Sequence, residues 1–227
     1  MAKRIAFIVT KNGIEERLFD FKYYSGFALS QKQKSILSFH EEINKCYKEQ
    51  VLEISSKSPD ALGKKLSAFN LMVRYKNRLI SVENIFQASK TFENGGPYED
   101  LLFVKPIEAK KDERLKKSGT LITFRFNGKN YPIKPKTLFY DWIYCRALSH
   151  YSNYIEELIK YSIFTDIEFN NDKSYNCQAR SAAIYVYLKK CGLTNEALSS
   201  IDKFLKYSYE GYKSLTEENS IFDYYFD

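Results

Sequence analysis

The stretch from Ser81 to Pro97 constrains this chain most. Ser81 stands where a helix cap belongs, and Val82, Ile85, Phe86 and Ser89 follow at helical spacing. Glu83, Gln87 and Lys90, at i, i+4 and i+7, fall on the opposite face. Asn94-Gly95-Gly96-Pro97 then ends the pattern, since glycine leaves the helical region easily and proline cannot continue it. The spacing predicts a helix over 82–92. Such a helix must bury its apolar side, so the chain needs a packed core.

Other elements follow from the same periodicities. Residues 3–9 and 18–24 read as strands. Residues 30–49 read as a helix opened by Ser30, with Ile36, Phe39, His40, Ile43 and Tyr47 along one stripe. His40 there is either a satisfied core histidine or a ligand. A short strand is expected at Leu52–Ile54, and a hairpin from 71–75 and 79–81 around Lys76-Asn77. A charged helix is expected over 106–117. A second hairpin, 120–126 with 131–133, turns at Asn127-Gly128. Helices are expected at 138–162, 177–190 and about 194–208, with a loop at 165–175 and a polar, aromatic tail from Gly211. Helices dominate and strands are short and scattered, which makes the expected fold class α+β in a single domain.

Composition narrows the function classes. A length of 227 residues suits one domain, and 44% hydrophobic with 16% aromatic residues excludes a disordered chain. Lys and Arg number 35 against 28 Asp and Glu, a net charge of +7. That balance favours a polyanionic partner, nucleic acid first, although it also serves ordinary solubility. Cys46, Cys145, Cys177 and Cys191 form no CxxC pair, and His40 and His150 lie far from any cysteine cluster. No zinc site can be drawn, and neither a metal nor a cofactor is expected. The apolar run from Ile5 to Val9 is too short for a signal core or a membrane span, so a cytoplasmic protein with reduced thiols is expected. No GxxxxGK[ST], GxSxG or GxGxxG pattern occurs, so phosphate must be held by other means.

Three segments carry candidate chemistry: 52–58 with 66–70, then 81–90, then 173–180. Glu83 would lie in the first turn of its helix, where the macrodipole favours its charged form by about 0.3–1 kcal/mol. Burial in a pocket acts the other way and more strongly, which would make Glu83 a general acid or base. The alternative is a first-turn glutamate that only supports the helix end. Lys57 follows a short strand among serines; it reads as a solvated lysine, a phosphate binder or an amine nucleophile.

The order of these motifs resembles a known family. "SSKS…LSAFN" followed by "SVENIFQASKTF" is similar to the paired signature of the NADAR/YbiA superfamily. "EAKKDERL", "FYDWIYCRAL" and "DIEFNNDKSYNCQARSAAIYVYL" resemble that family's later blocks in the same order, over about residues 51–190. "YSGFALSQKQKSI", "FENGGPYEDL" and "NCQARSAAIYV" bring the chain nearest the NADAR antitoxins encoded beside DarT-type DNA ADP-ribosyltransferase toxins. The chain departs from the wider family at Cys177-Gln178-Ala179, where others carry Leu-Gly, and it lacks the preceding Trp-Gly.

The resemblance implies a YbiA-like fold, ADP-ribosylated DNA as substrate and a functionally linked DarT-type toxin. It implies removal of ADP-ribose from guanine by N-glycosidic cleavage. Lys57 and Glu83 match the family's lysine and glutamate, Asn176 matches the asparagine of the closing motif, and Trp142 stands near an aromatic of the family pocket. Asn70 and Gln87, within the matched motifs, are further substrate-binding candidates. Lys90, Arg180 and the backbone at Gly95 and Gly96 are candidates for the pyrophosphate. Phe86 or Trp142 would stack on a base, core packing being the alternative for both. Lys32 and Lys34 sit at an expected helix start, where positive charge opposes the dipole, so a role along the DNA backbone is expected. The expected division is an N-terminal part at 1–50 as a candidate DNA-contacting extension, a catalytic core at 51–192 and a C-terminal helix and tail at 193–227. Rival readings are an N-ribosidase of small phosphorylated metabolites, a non-enzymatic toxin-binding antitoxin and a nucleic-acid binder without turnover.

Overall fold

Strand pairing in the computed structural model is set by one long hairpin. The structure describes residues 1–172 and 174–209; Lys173 and the expected tail from Gly211 lie outside the described residues. In chain order the strands are β1 (Ala2–Thr10), β2 (Gly13–Phe21), β3 (Val51–Glu53), β4 (Met72–Tyr75), β5 (Arg78–Ser81), β6 (Lys90–Phe92), β7 (Leu121–Phe126), β8 (Lys129–Tyr131) and β9 (Ile163–Thr165). The helices are α1 (Leu29–Asn44), α2 (Ala61–Lys65), α3 (Val82–Ala88), α4 (Pro106–Lys111), α5 (Arg114–Lys117), α6 (Leu138–Leu148), α7 (Ser152–Leu158), α8 (Gln178–Lys190), α9 (Thr194–Ala197) and α10 (Ile201–Tyr209). The fold is α+β.

β1 and β2 pair antiparallel from Thr10↔Gly13 to Ala2↔Phe21. The second strand therefore lies earlier than the expected 18–24, because the ladder ends with β1. Beyond it the backbone N–H of Tyr24 turns to Ser35 Oγ at 2.9 Å. Side chains of β1 alternate between two cores. Ile5 and Phe7 enter the main one, while Ala6 and Ile8 meet Ile36, Phe39 and Ile43 of α1. That helix is capped by Ala28, not Ser30, and stops at Asn44, short of 49. The sheet order is β2-β1-β9-β3, with β9 antiparallel to β1 and parallel to β3.

The long helices expected from periodicity are cut shorter. α3 ends at Ala88, and Lys90–Phe92, expected to be helical, instead pairs as β6 with β7 through Lys90↔Phe124, Thr91↔Thr123 and Phe92↔Leu121. Arg125 N–H donates to the Ser89 carbonyl at 2.7 Å, so sheet bonds replace helical ones. Gly95 and Gly96 thus belong to the turn after a strand. Gly96 has φ +81, and a Cβ there would come within 2.3 Å of the Lys90 carbonyl oxygen. The expected 106–117 helix divides at Asp112, whose Oδ1 accepts the Arg114 N–H at 2.9 Å. The expected 138–162 helix divides into α6 and α7; Tyr151, at the break, donates its hydroxyl to the Met72 carbonyl at 2.8 Å. The 194–208 helix divides into α9 and α10, and β9 occupies the stretch between the end of the expected 138–162 helix and the start of the expected 165–175 loop. Both expected short hairpins form, but the return strand of the second is Lys129–Tyr131 and not 131–133, because the turn is only Asn127 (φ 50) and Gly128 (φ 73) long.

α6 and α8 are buried nearly all round and cross the centre of the molecule. Between them Asp141 pairs with Arg180 and accepts hydroxyls from Ser181 (2.6 Å) and Tyr209 (2.8 Å). Among the described residues no helix is long and apolar enough to cross a membrane.

Candidate active site

β3 and β9 run parallel and end side by side at Glu53↔Thr165. Crevices at the carboxyl ends of neighbouring parallel strands are natural binding places, because the departing chains splay apart there. Here the chain after β3 carries Ser55-Ser56-Lys57, and the chain after β9 carries Asp166, Glu168 and Phe169. With α3, they enclose a cavity of about 820 Å³.

Glu53 holds the two chain ends together. Its Oε1 accepts the Ser55 hydroxyl (2.7 Å) and the Ile167 N–H (2.8 Å), and its Oε2 accepts the Thr165 hydroxyl (2.6 Å). Ser55 Oγ in turn accepts the Lys57 N–H at 3.2 Å. Burial pushes the Glu53 carboxyl upward, against these three donors. Thr165 has spent its one proton on Glu53, so His40 Nε2, 2.9 Å away, must donate to it. Burial pulls His40 down to about 4, which keeps the ring neutral. The structure gives His40 to Thr165 and to a separate surface cleft, not to this cavity.

α3 supplies the facing wall. Ser81 Oγ accepts the Asn84 N–H at 3.1 Å, as a cap should. Glu83, 4% exposed, donates its backbone N–H to the Ala68 carbonyl at 3.0 Å. Its Oε1 accepts Gln87 Nε2 (2.8 Å), and Gln87 Oε1 accepts Lys90 Nζ (2.8 Å). Glu83, Gln87 and Lys90 thus form a bonded row that runs from α3 into the start of β6. Lys90 Nζ also lies 4.6 Å from the centre of the Phe86 ring. Burial pulls Lys90 down to about 8; Glu83 opposes this and Lys110 adds to it.

The closing segment completes the enclosure. Gln178 Oε1 accepts the Ala68 N–H at 2.8 Å, leaving its amide hydrogens for Asp166. The Ala68 peptide therefore links α8 to Glu83. Asp166 is 7% exposed and accepts the Glu168 N–H at 3.0 Å. Burial first, then the nearby Glu53 carboxyl, push Asp166 up to about 8. Asn176 Oδ1 is buried without a hydrogen-bond partner, on a residue that lines the cavity.

The structure brings together Lys57, Glu83, Phe86, Gln87, Lys90 and Asn176 of the expected site. The other expected residues stand elsewhere. Asn70 turns its amide to the Lys64 carbonyl at 2.8 Å. Gly95 and Gly96 lie off the cavity wall. Trp142 packs edge-on to Phe204 at 5.4 Å and faces another cleft, of about 610 Å³. Arg180 is committed to Asp141 in the core. Lys32 donates to Tyr23 Oη (2.8 Å) and pairs with Glu168 (3.0 Å) on the cavity wall, while Lys34 is exposed. Asp166 and Tyr140 also line the cavity, outside the candidate residues expected from the sequence. Acids at Asp166 and Glu168, flanking an isoleucine just after the strand-forming Ile163-Phe164-Thr165, are the available signal for the first.

The walls also carry Lys110, Lys111 and Glu168. Cations around a carboxylate core suit an anionic ligand whose reacting centre meets the carboxylates. Among the described residues no three His, Cys, Asp or Glu side chains are grouped to hold a metal ion. The model of a family described as the DarT1-associated NADAR antitoxin matches residues 2–218. Comparison with curated proteins gives no match.

Proposed function

The chain belongs to the DarT1-associated NADAR antitoxin family, and from that membership we propose that it is a hydrolase removing ADP-ribose from guanine bases of DNA, which reverses the modification made by a DarT-type toxin. The observation that carries this reading is the meeting of Lys57 and Glu83 on the walls of one cavity whose rim is rich in lysine.

Guanine carries the ADP-ribose through C1″ of the distal ribose in this reading. Breaking that C–N bond builds positive charge on the sugar, which the Glu83 carboxylate stabilises. Lys57 lines the same cavity and is the amine that adds to C1″ of the opened ribose, giving an imine that water hydrolyses. Lys90 and Lys110 offer charge to the pyrophosphate, and the buried Asn176 Oδ1 offers an acceptor to a ribose hydroxyl or a base amine. Phe86 and Tyr140, edge-on at 5.1 Å, supply aromatic surface to the cavity.

The test is incubation with an oligonucleotide carrying ADP-ribose on guanine, followed by mass analysis of both products. Free ADP-ribose together with unmodified oligonucleotide is expected. Failure to process this substrate, with turnover of a small ribosylated amine, would move the activity to small metabolites. Toxin neutralisation without turnover of either would make the antitoxin a binding protein.

A further inference from the structure

We propose that Asp166 is the proton donor of this site, delivering its carboxyl proton to the guanine as it leaves; this rests on the glycohydrolase reading above. Three observations converge. Asp166 lines the same cavity as Lys57 and Glu83. It follows directly on the strand β9, so its backbone is fixed by the sheet, and the Glu168 N–H at 3.0 Å fixes Oδ1. Its other contact, the Gln178 amide, bonds through its oxygen to Ala68, whose carbonyl receives the Glu83 N–H. Asp166 and Glu83 are therefore held in one hydrogen-bonded frame.

The groups facing Asp166 come from every element around it. They are Glu53 on β3, Glu168 on its own segment, Gln178 and Cys177 at the start of α8, and Tyr140 and Tyr144 on α6. The two phenols and the thiol are themselves pushed well above their ordinary ranges by burial, so none competes as an acid near neutral pH. Asp166, held up to about 8, keeps its proton at neutral pH. Glu83 is bonded to the Gln87 amide on the facing wall.

The step balances. The C1″–N bond breaks with its electron pair on the guanine amino nitrogen, which takes the Asp166 proton. Water bonds to C1″ through its oxygen and loses its proton to solvent, from which the Asp166 carboxylate regains one. Where the Lys57 amine adds first, the proton it sheds takes the same route.

The experiment compares wild type and Asp166→Asn on two substrates across pH 6 to 9.5 (approximate limits chosen to span the value of about 8). One is guanine-ADP-ribosylated oligonucleotide; the other is ADP-ribose joined at C1″ to 4-nitrophenol, whose anion leaves without a proton. Wild-type turnover of the first should fall as pH rises through about 8, and turnover of the second should not. Asp166→Asn should lose at least about 100-fold in kcat on the first and no more than about threefold on the second. Equal losses on both substrates would reduce Asp166 to a structural role. An alkaline fall that persists unchanged in Asp166→Asn would belong to Lys90, also near 8, and would overturn the proposal. The wild-type comparison of the two substrates decides the question even if the variant fails to fold: an identical alkaline limb on both rules the donor out. Wild-type inactivity on both substrates would instead sink the glycohydrolase reading itself.

Discussion

Lys57 and Glu83 reach the cavity with different supports. Glu83 is fixed through its backbone to Ala68 and through its carboxylate to Gln87. Lys57 is placed through its backbone N–H on Ser55, which in turn rests on buried Glu53. Glu83→Gln keeps the size of the side chain and removes its charge. It should lower turnover of modified DNA by about 100-fold or more without altering the melting temperature. Turnover within about threefold of wild type, well under 1 kcal/mol of barrier, would take Glu83 out of the mechanism. Lys57→Arg preserves positive charge but cannot form an imine. Near-complete loss of turnover with substrate binding retained is expected, along with a borohydride-trapped adduct on Lys57 in the wild type. Substantial activity in Lys57→Arg, with no adduct in the wild type, would make Lys57 an electrostatic clamp.

At the level of elements, the first turns of α1 tie the N-terminal region to the site. Lys32 crosses to Glu168 on the cavity wall, whereas Lys34, two residues on, faces solvent. The two lysines, alike in sequence, should therefore behave differently. Lys34→Ala should weaken binding to modified DNA and reduce the salt slope by roughly 0.7–0.9, with no change on a modified mononucleoside. Lys32→Ala should also alter turnover of the mononucleoside, because Glu168 loses its partner. Identical behaviour of the two variants on the mononucleoside would show that the Lys32–Glu168 pair does not shape the cavity. α3 makes the complementary point: its start is local, set by Ser81 on Asn84, but its end is imposed by β7, which captures Lys90–Phe92 in a ladder. That capture ends the helix at Ala88 and carries the row Glu83, Gln87, Lys90 along the cavity from α3 into β6.

Across the whole molecule, the His40–Thr165–Glu53 chain couples stability to pH. Native His40 is held down at about 4, while in the unfolded chain its ordinary value is 6.5. Below about pH 6.5 the unfolded state therefore binds a proton that the native state refuses, and stability falls as pH drops toward 4. The loss should be about 3 kcal/mol, read as a shift of the urea midpoint. His40→Gln keeps a donor toward Thr165 and does not titrate, so its midpoint should fall less over that window; an identical acid slope would mean that other groups set it. Local chemistry alone made several features legible. The β7–β8 hairpin follows from Asn127-Gly128, which both adopt positive φ, and the start of α3 follows from Ser81; each depends on neighbours in sequence. The motif order likewise marked Lys57 and Glu83. Tertiary structure decided what depends on remote partners. Tyr140 and Trp142 are both aromatic residues on α6, yet two steps of about 100° put them on opposite sides of the helix, one in the cavity and one in another cleft. Nothing in sequence says which side of a helix buried all round will face the ligand. Asp166 enters the site for a similar reason: β9 becomes the parallel neighbour of β3 only when the sheet assembles, and only then do burial and Glu53 push up the carboxyl that shares a cavity with Lys57 and Glu83.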